Sequence, residues 1–338
     1  MNPDQYTTPV DYIPSTIFPL TYNIQNINIS AIENNYDELT DAHPIIFNLD
    51  TPIPVNIPVI MNDNITIEFP TDEDDEETIV PLVSIVPKMI FIVPHRDREK
   101  QRDNFVRRMA YILEDIPIDD YAIFFVNQCD NRCFNRGAIK NIGFMAMKEK
   151  YPDDYKTISF VFNDVDTTPV EKNTFDYITV PGKIKHFYGF NYALGGIFSV
   201  TGQDFERMNG FINLWTWGYE DNYLQTAADR HNIVVSRDVF YKINDKRIEY
   251  LADVPFRTVN KGEFDLYISG SREGINTISN LVYDLDIDLG YVNVREFDTG
   301  HVENILQRLE YDLRNGPIPF TPPKQPVKRG NAKMKMLF

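Results

Sequence analysis

Residues 88–98 have the sequence KMIFIVPHRDR, in which an apolar run is followed at once by a cluster of charged residues. An apolar run of this length between polar flanks is typical of a strand that is buried on both faces of a parallel sheet. The segments 121–127 (YAIFFVN) and 157–162 (TISFVF) have the same character, and each is also followed by polar residues. We therefore predict three buried strands whose carboxyl ends carry polar side chains.

The stretches between these strands have the spacing of amphipathic helices. Residues 99–113 place Phe105, Met109 and Ile112 on one side, and residues 136–150 form a second predicted helix. Strands that alternate with helices indicate βαβ units, so the predicted fold class is α/β with a mainly parallel sheet. Because such sheets bind ligands at the carboxyl ends of their strands, the polar residues there are the first candidates for a site.

The charge of the chain is unevenly distributed. Its 338 residues include 33 Lys and Arg against 50 Asp and Glu, a formal net charge of −17. Residues 1–87 hold 15 of the acidic residues, none of the basic ones and 11 of the 22 prolines, whereas residues 315–338 hold five basic residues and no acidic one. We predict an acidic, proline-rich β-type extension at 1–87, an α/β domain at 88–315 and a basic flexible tail at 316–338.

The composition excludes several classes of protein. Phosphate neutralisation needs clustered Lys and Arg, so this acidic chain is not expected to bind nucleic acid. No window approaches ~18 uninterrupted apolar residues and no basic, apolar leader is seen, so we expect a soluble protein without signal peptide or membrane anchor. The two cysteines, Cys129 and Cys133, exclude a disulfide framework. We expect two free thiols, although one local bridge stays open.

The polar residues at the three strand ends form the outline of a nucleotide site. Arginine guanidinium groups suit phosphate oxygens, and an aromatic ring can contact a base. Two carboxylates one residue apart can hold a hard divalent cation against a diphosphate, although an Asp-x-Asp is equally compatible with a plain polar strand end. The groups concerned are Arg96 and Arg98 after the first strand, Phe134 and Arg136 after the second, and Asp164 and Asp166 after the third.

A second cluster, of aromatic, glycine and acidic residues, is WTWGYEDN at 215–222, which follows Gly195-Gly196 in the chain. Aromatic faces stack on sugar rings, glycines allow close approach of the backbone, and a carboxylate among aromatic rings is a usable general base. The alternative is a pair of core tryptophans that precedes a helix, with Glu220 and Asp221 in its favourable first turn. The two interpretations are compatible, and both stay open.

Taken in order, these stretches resemble the β-1,4-galactosyltransferase family, whose members are inverting transferases that use a UDP-sugar and usually manganese. The resemblance covers about residues 88–298 and implies a GT-A-like nucleotide-sugar transferase fold with a mainly parallel, mixed sheet. It rests on IVPHRDR at 92–98, VNQ at 126–128 with FNR at 134–136, VFNDVD at 161–166, GG at 195–196, NGF at 209–211, WGYED at 217–221, IVVSR at 233–237, and EGIN at 273–276 with LVY at 281–283.

The resemblance also implies roles for individual residues. Asp166 would be a direct ligand of Mn²⁺, Asp221 the catalytic base and Glu220 the residue that orients the reacting sugars. The sugar and acceptor site would comprise Gly195, Gly196, Trp217 and Gly218. The UDP would be bound by Pro94, His95, Arg96, Arg98, Phe134, Arg136, Asp164, Val165 and Lys183. The arginines and the lysine of this set are expected to make the nucleotide pocket locally basic.

Two positions depart from the family pattern. Where the family completes its metal site with Met-x-x-His, this chain has Arg247 and Tyr250, although Asp245 or Glu249 would be available if the loop is shifted. Ala193 stands where galactose-transferring relatives usually have tyrosine, and the smaller side chain leaves room for an N-acetyl group. The metal site is therefore incomplete relative to the family, and galactose is not assumed as the donor sugar.

These observations predict a glycosyltransferase that moves a hexose or an N-acetylhexosamine from a UDP-sugar to a hydroxyl of a glycan or glycoconjugate, with Mn²⁺ as its metal. The alternative is a catalytically degenerate transferase fold that acts as a structural or carbohydrate-binding protein. Residues 1–87 are a candidate contact between copies in a homo-oligomer. We expect a cytoplasmic or virion-associated protein, and a composition rich in Asn, Ile, Asp and Tyr indicates a microbial or viral source.

Overall fold

The structure is a computed structural model that describes residues 85–251, 255–316 and 318–320. Almost all of the predicted extension at 1–87 and of the predicted tail at 316–338 lies outside these residues, so both remain predictions. The described residues form an α/β domain in which one large sheet has apolar clusters on both of its faces.

Thirteen strands and five α-helices occur among the described residues. The helices are α1 (Glu99–Ile112), α2 (Arg136–Lys150), α3 (Gly202–Arg207), α4 (Glu220–Arg230) and α5 (Lys261–Ile268). The strands are β1 (Met89–His95), β2 (Tyr121–Gln128), β3 (Ser159–Asn163), β4 (Thr167–Pro169), β5 (Lys183–Gly189), β6 (Ile197–Thr201), β7 (Val234–Ser236), β8 (Tyr241–Lys242), β9 (Ile248–Tyr250), β10 (Phe256–Asn260), β11 (Ser279–Asp286), β12 (Tyr291–Asp298) and β13 (Arg308–Asp312). Single 3₁₀ turns lie at Ile118–Asp120, Ile275–Thr277, Ile305–Gln307 and Leu313–Asn315.

Nine of these strands form one sheet in the order β11-β12-β2-β1-β3-β6-β5-β7, with β8 also paired to β5. The central strand β1 pairs in parallel with β2 and β3, and β2 pairs in parallel with β12. The β3–β6, β5–β6 and β11–β12 pairs are antiparallel, whereas β7 and β8 pair in parallel with β5. The predicted mainly parallel, mixed sheet is therefore confirmed. Two small sheets, β4–β9 and β10–β13, lie outside it.

The three strands predicted from their apolar runs are β1, β2 and β3. The predicted helix at 136–150 has the bounds of α2, and the predicted helix at 99–113 is one residue longer than α1. Met89 is opposite both Tyr121 and Ser159, so the three strands run in register and end at the same edge of the sheet. This register brings the polar residues that follow each strand into one region.

Burial of both faces of β1 explains its continuous apolar run. Ile90 and Ile92 belong to the core cluster on the side of α2. Phe91 and Val93 belong to the cluster on the side of α1, where they meet Phe105. Because successive side chains of a strand point to opposite faces, a strand between two helical layers needs an apolar residue at every position.

Helix α2 brings two basic side chains to the polar edge of the sheet. Arg136, Lys140 and Gly143 lie on one side of it, because positions i, i+4 and i+7 share a face of an α-helix. At Gly143 the helix approaches the sheet so closely that an added Cβ would be 2.6 Å from a methyl group of Val126 and 2.8 Å from one of Ile92. The missing side chain at this position therefore sets the distance between α2 and the sheet.

We expect the G143A variant to lower the free energy of unfolding by about 1–3 kcal/mol, the usual cost of overpacking a core. At an exposed helix position the same change would raise the free energy of unfolding by roughly 0.8–1 kcal/mol. The sign of the measured change therefore shows whether position 143 is tightly packed or exposed. Urea unfolding, monitored by circular dichroism, measures this change in the free energy of unfolding. The matched control is G262A in α5, where an added Cβ would first meet the flexible end of Gln307. Equal or higher stability of G143A would contradict the close packing.

Candidate active site

Arg136, the first residue of α2, joins the two acidic motifs of the sequence. Its Nη2 donates to Asp164 at 2.6 Å, and its Nη1 donates to Asp221 at 3.0 Å and also to Glu220. Asp164 follows β3, whereas Glu220 and Asp221 are the first two residues of α4. Asn135 caps α2 by accepting a hydrogen bond from a backbone N–H of its first turn. We call this set of ion pairs the Arg136 junction.

Lys140 completes the Arg136 junction, although it is not among the residues predicted from the sequence. Its Nζ lies 3.3 Å from an oxygen of Asp221 and 3.8 Å from one of Asp164, and its side chain is 1% exposed. The ammonium group also lies 4.5 Å from the centre of the Phe211 ring. The sequence contains the signal for this lysine, because it follows Arg136 by one helical turn and the two residues share a face.

The acidic groups of the junction differ in their protonation. Burial raises the pKa of Glu220, and the charge of Asp221 adds to this effect. Burial pushes the pKa of Asp221 upward too, but Arg136 and Lys140 outweigh it and hold that pKa below its ordinary value. Asp221 is therefore ionised at neutral pH, and Glu220 is the member of the pair that takes up a proton more readily.

Asp166 lies beside the junction and is paired with Arg98, whose Nη1 is 3.3 Å from its Oδ2. Burial and the charge of Asp164 raise the pKa of Asp166 to about 6, although Arg98 acts in the opposite direction. The backbone N–H of Leu251 donates to the Asp166 carbonyl at 2.9 Å. Two carboxylates that oppose each other's ionisation form a place where an added cation is favourable.

The glycine pair lies against both acidic motifs. An added Cβ on Gly195 would overlap with the Asp221 carboxylate, so the backbone has to be bare at this point. The N–H of Leu194 donates to the Asp221 carbonyl at 2.9 Å, and the N–H of Asp164 donates to the Gly196 carbonyl at 3.1 Å. Any side chain at position 195 would therefore displace Asp221.

His186 holds the glycine pair in place. Its Nδ1 accepts a hydrogen bond from Arg237 at 3.0 Å, and since arginine only donates, the proton of the neutral ring is on Nε2. This Nε2 donates to the carbonyls of Gly195 at 3.0 Å and Tyr188 at 3.1 Å. Burial lowers the pKa of His186 to about 4, and the charge of Arg237 acts in the same direction. The ring is therefore a neutral, structural support.

Arg96 and Phe134 form a second group at the ends of β1 and β2. The Arg96 guanidinium lies 5.2 Å from the centre of the Phe134 ring, and its Nη1 donates to the Arg132 carbonyl at 2.7 Å. A cavity of about 630 Å³ adjoins them, a size within the range of small-ligand sites. It is lined by His95, Arg96, Asp97, Glu99, Arg102, Asn127, Gln128, Cys129, Asp130, Asn131, Arg132 and Tyr291.

Three of the residues predicted to bind UDP, namely Pro94, His95 and Val165, are buried. The His95 side chain is 4% exposed and meets the rings of Phe125 and Tyr291 edge-on. Burial lowers its pKa, so the ring is neutral. Pro94 and Val165 are buried as well, and Val165 packs in the core cluster on the side of α1.

The loop 215–219 leads directly into α4. Gly218 has a φ of 111° and Tyr219 a φ of 72°, and a tyrosine in this left-handed region is uncommon. Trp215 is buried, whereas Trp217 is partly exposed. Each interpretation of the tryptophan pair therefore fits one of its members, because only Trp217 has a face available to a ligand.

Lys183 is a predicted donor-binding residue that the structure does not place in the junction. It begins β5, and its ammonium group pairs with Asp238 at 3.7 Å. The locally basic nucleotide pocket stays a prediction, although two of its arginines, Arg98 and Arg136, are paired with carboxylates. The junction and its neighbour Asp166 place four carboxylates, Asp164, Asp166, Glu220 and Asp221, beside three cations, Arg98, Arg136 and Lys140.

The positions that depart from the family's metal motif have other partners. Arg247 pairs with Asp245 at 2.7 Å, and Glu249 pairs with Arg108 at 3.0 Å. Both acidic residues considered as substitute ligands are thus engaged by arginines. Tyr250 lies in β9, which pairs with β4, the strand that begins directly after the Asp-x-Asp motif.

Three expectations concern the described residues as a whole. No group of three or more His, Cys, Asp or Glu side chains that would hold a metal by itself occurs among them. Both cysteines are free thiols, as expected. Within the described ranges no helix has the length and apolar character to cross a bilayer.

Two family models match the chain. The N-terminal region of glycosyl transferase group 7 matches residues 83–178, and the N-terminal domain of galactosyltransferase matches residues 182–245. Together these two segments contain every residue of the predicted site, from the first strand end to the start of α4.

Individual relatives are similar over part of their length. β-1,4-Galactosyltransferase 4 of Cricetulus griseus is 30% identical over 164 residues, which is 45% of this chain and 45% of that protein. Xylosylprotein 4-β-galactosyltransferase of Caenorhabditis elegans is 30% identical over 187 residues, which is 52% of this chain and 61% of that protein. The chain thus spans about half the length of these relatives.

The catalytic domain of a Drosophila β-1,4-galactosyltransferase 7, solved with xylobiose, matches with a TM-score of 0.49 and 22% identity over 64% of this chain and 96% of that chain. The two sequence relatives named above are animal proteins, and the predicted microbial or viral source stays a prediction. The two family models and the sequence relatives agree with the motifs at the strand ends. Residues 83–178 and 182–245 are therefore similar to glycosyl transferase group 7 and to the β-1,4-galactosyltransferases.

Proposed function

We propose that this protein is an inverting glycosyltransferase that moves a hexose or an N-acetylhexosamine from a UDP-sugar to a hydroxyl group of a glycan or glycoconjugate. The observation that carries the proposal is the Arg136 junction, which holds Asp164 and Asp221 on one guanidinium group. A transferase needs its donor diphosphate and its general base on either side of one anomeric carbon, hence within one small site. The match of residues 83–178 and 182–245 to the two family models supports the same assignment.

The donor would bind along the carboxyl ends of β1, β2 and β3. The nucleoside would enter the cavity beside Arg96, whose guanidinium is already placed against Phe134. The diphosphate would lie near Arg98 and Arg136, because guanidinium groups bind phosphate oxygens through two parallel hydrogen bonds. Both arginines are paired with carboxylates, so donor binding would exchange part of this pairing for contacts with phosphate.

Mn²⁺ is the divalent cation that we propose for this site. The donor set fits it, because Asp164 and Asp166 offer hard oxygen ligands and their mutual repulsion contributes to the raised pKa of Asp166. Hard divalent cations at nucleotide sites are commonly held by one or two carboxylates together with substrate phosphates, so a third protein ligand is not required. Asp166 would hold the ion, which would neutralise charge on the leaving diphosphate.

Asp221 is the proposed general base. It is ionised at neutral pH, since Arg136 and Lys140 hold its pKa low. It would accept the proton of the acceptor hydroxyl as the new glycosidic bond forms, while the UDP oxygen leaves with the electron pair of the old bond. Glu220 would orient the reacting sugars from its place on Arg136, and the partly exposed Trp217 would stack on a sugar ring.

The small residues that precede and include the glycine pair favour a donor with a larger substituent. Ala193 directly precedes Leu194, whose N–H is bonded to the carbonyl of Asp221. A methyl side chain at this point takes up little room, and Gly195 and Gly196 add none. We therefore propose that the site accepts an N-acetylhexosamine as well as a hexose.

We expect D221N to lower kcat for sugar transfer by roughly 10²–10⁴-fold, the usual contribution of a positioned general base. UDP should bind at least as tightly as in the wild type, because its proposed contacts do not include this carboxylate and the change removes a competitor for Arg136. UDP release from a panel of UDP-sugars with glycan acceptors, together with calorimetry, measures both quantities. The matched control is D229N, which changes an exposed aspartate of the same helix.

Full activity of D221N, with D229N equally active, would refute the assignment of the base. A wild-type protein that binds UDP or glycans and turns over no donor would support the alternative, a carbohydrate-binding protein with a degenerate catalytic site. A wild-type protein that does neither would refute both.

We expect K140M to move the acid limb of the kcat profile to higher pH. The Lys140 ammonium lies 3.3 Å from Asp221 and is part of what holds the pKa of the base down, so its loss raises that pKa. Activity should therefore fall most under acidic conditions and recover towards neutral pH. K148M is the matched control, because Lys148 is in the same helix and pairs with Glu206 outside the junction. An unchanged limb, or one at lower pH, would contradict this account of Asp221.

We expect Mn²⁺ to tighten UDP binding in the wild type and to have no such effect in D166N, because Asp166 is the proposed protein ligand. Calorimetric titration with UDP in the presence of Mn²⁺ and in the presence of EDTA measures the difference. D153N, a change at an exposed loop aspartate, is the control and should retain the full effect. Equal tightening in D166N would show that the ion is not held at this carboxylate.

A further inference from the structure

A buried carboxylate holds the loop that carries Trp217. The backbone N–H groups of Trp215 and Thr216 both donate to Glu263, at 2.6 and 2.8 Å, and the Thr216 hydroxyl donates to the same carboxylate at 2.6 Å. Glu263 lies in α5 and is 4% exposed. Hydrogen bonds to an ionised group are about twice as strong as neutral ones, so this attachment fixes the backbone of the loop firmly.

His301 supplies the positive charge that a buried carboxylate needs. Its Nε2 lies 2.9 Å from Glu263, and its Nδ1 lies 3.8 Å from Glu273. Burial opposes the charged ring, but the two carboxylates outweigh it and raise the pKa of His301 to about 9. Glu273 in turn accepts a hydrogen bond at 3.2 Å from Asn213, two residues before the loop. We call Glu263, His301 and Glu273 the loop anchor.

The other end of the loop is held from the same part of the chain. The N–H of Trp217 donates to the Thr258 carbonyl at 2.9 Å. The Tyr219 hydroxyl exchanges two hydrogen bonds of 3.0 Å with the backbone of Phe320. All of these partners lie within 255–320, beyond the segments that the family models match. The loop of the proposed acceptor site is thus fixed by residues outside the matched segments.

We infer that Glu263 is a positioning residue for the proposed acceptor site, and that the imidazolium of His301 keeps it in its place. Glu263 acts through the backbone of residues 215–216, which sets the position of Trp217 and the direction in which the chain enters α4, the helix of Asp221. That the loop binds a glycan acceptor rests on the proposed function. The attachment of the loop to Glu263 is independent of that function.

The chain provides a probe for this loop, because Trp215 and Trp217 are its only two tryptophans. E263Q retains the size of the side chain, but its amide has only one oxygen. The amide therefore cannot accept hydrogen bonds from both the loop and His301 as the two carboxylate oxygens do. We expect red-shifted tryptophan emission and stronger quenching by acrylamide in folded E263Q. UDP affinity should be unchanged, and KM for the glycan acceptor should rise by a larger factor than kcat falls.

E303Q is the matched control. Glu303 is another largely buried carboxylate of this part of the chain, with its side chain 8% exposed, and its partners are Arg308 and Asn260. Its loss should lower the melting temperature without changing tryptophan emission or acceptor KM. Wild-type emission and quenching in folded E263Q would overturn the inference, whether or not the protein proves to be a transferase. If the wild-type protein transferred no sugar to any acceptor, that result would count against the proposed function and not against this inference.

H301Q provides a second test, including the case in which E263Q does not fold. It retains a hydrogen-bond donor and removes the positive charge. The pKa of His301 is raised from 6.5 to about 9, so the imidazolium stabilises the fold fully below about pH 6.5 and this contribution is lost as pH rises through about 9. The charged groups that interact with the ring are Glu263, Glu273 and Glu303. Arg308 pairs with Glu303, and the Cys133 thiol interacts with Glu263, Glu303 and Arg308.

We expect the stability difference between wild type and H301Q to shrink as pH rises through about 9, and wild-type tryptophan emission to shift over the same interval. Urea unfolding and fluorescence at a series of pH values measure the two effects. C133S, which removes the nearby thiol, should retain both. A stability difference that is constant with pH, together with wild-type emission in H301Q throughout, would overturn the role of the charged ring.

Discussion

Three carboxylates from two distant parts of the chain meet on the guanidinium group of Arg136. Charges removed from water are stable only when each is paired, and loss of one partner leaves the others buried without compensation. Because Asp164 directly follows β3 while Glu220 and Asp221 begin α4, these ion pairs fix α2, β3 and α4 relative to one another. The glycine pair takes its position from this junction, since the N–H of Asp164 donates to the Gly196 carbonyl and the N–H of the neighbouring Leu194 donates to the Asp221 carbonyl.

The same pairing constrains how an anionic donor enters the site. Four carboxylates lie beside three side-chain cations, so a diphosphate meets a region with no excess of positive charge. Guanidinium groups that bind the diphosphate have to release carboxylate partners, and a divalent cation at Asp166 would offset the negative charge left behind. A metal ion is therefore a more natural complement to this arrangement than additional arginines would be, because the arginines present already have partners.

Strands and helices with a clear local pattern can be predicted from the sequence. Ion pairs between residues that are far apart in the chain cannot. Strands β1, β2 and β3 and helix α2 are predictable because each is long and its burial follows one period. Strands such as β7 and β8, of three and two residues, carry no periodic signal, so this side of the sheet is not predictable. Arg136 is identified as a site residue, but its partner Asp221 is 85 residues away, and no local pattern indicates that these two side chains pair. His301 and Glu263 are 38 residues apart and have no local pattern at all.

The loop 215–219 shows why a second buried charge cluster is needed beside the Arg136 junction. With Gly218 and Tyr219 both at positive φ, this loop has no helix or strand pattern to satisfy its N–H groups, so side chains have to accept from them. A non-glycine residue in the left-handed region costs roughly 1–3 kcal/mol and persists only where its surroundings hold it. Here the Tyr219 ring stacks on Tyr267, and its hydroxyl is bonded to Phe320. The matched segments thus contain every group proposed to react, whereas the conformation of the loop that presents them depends on residues 255–320.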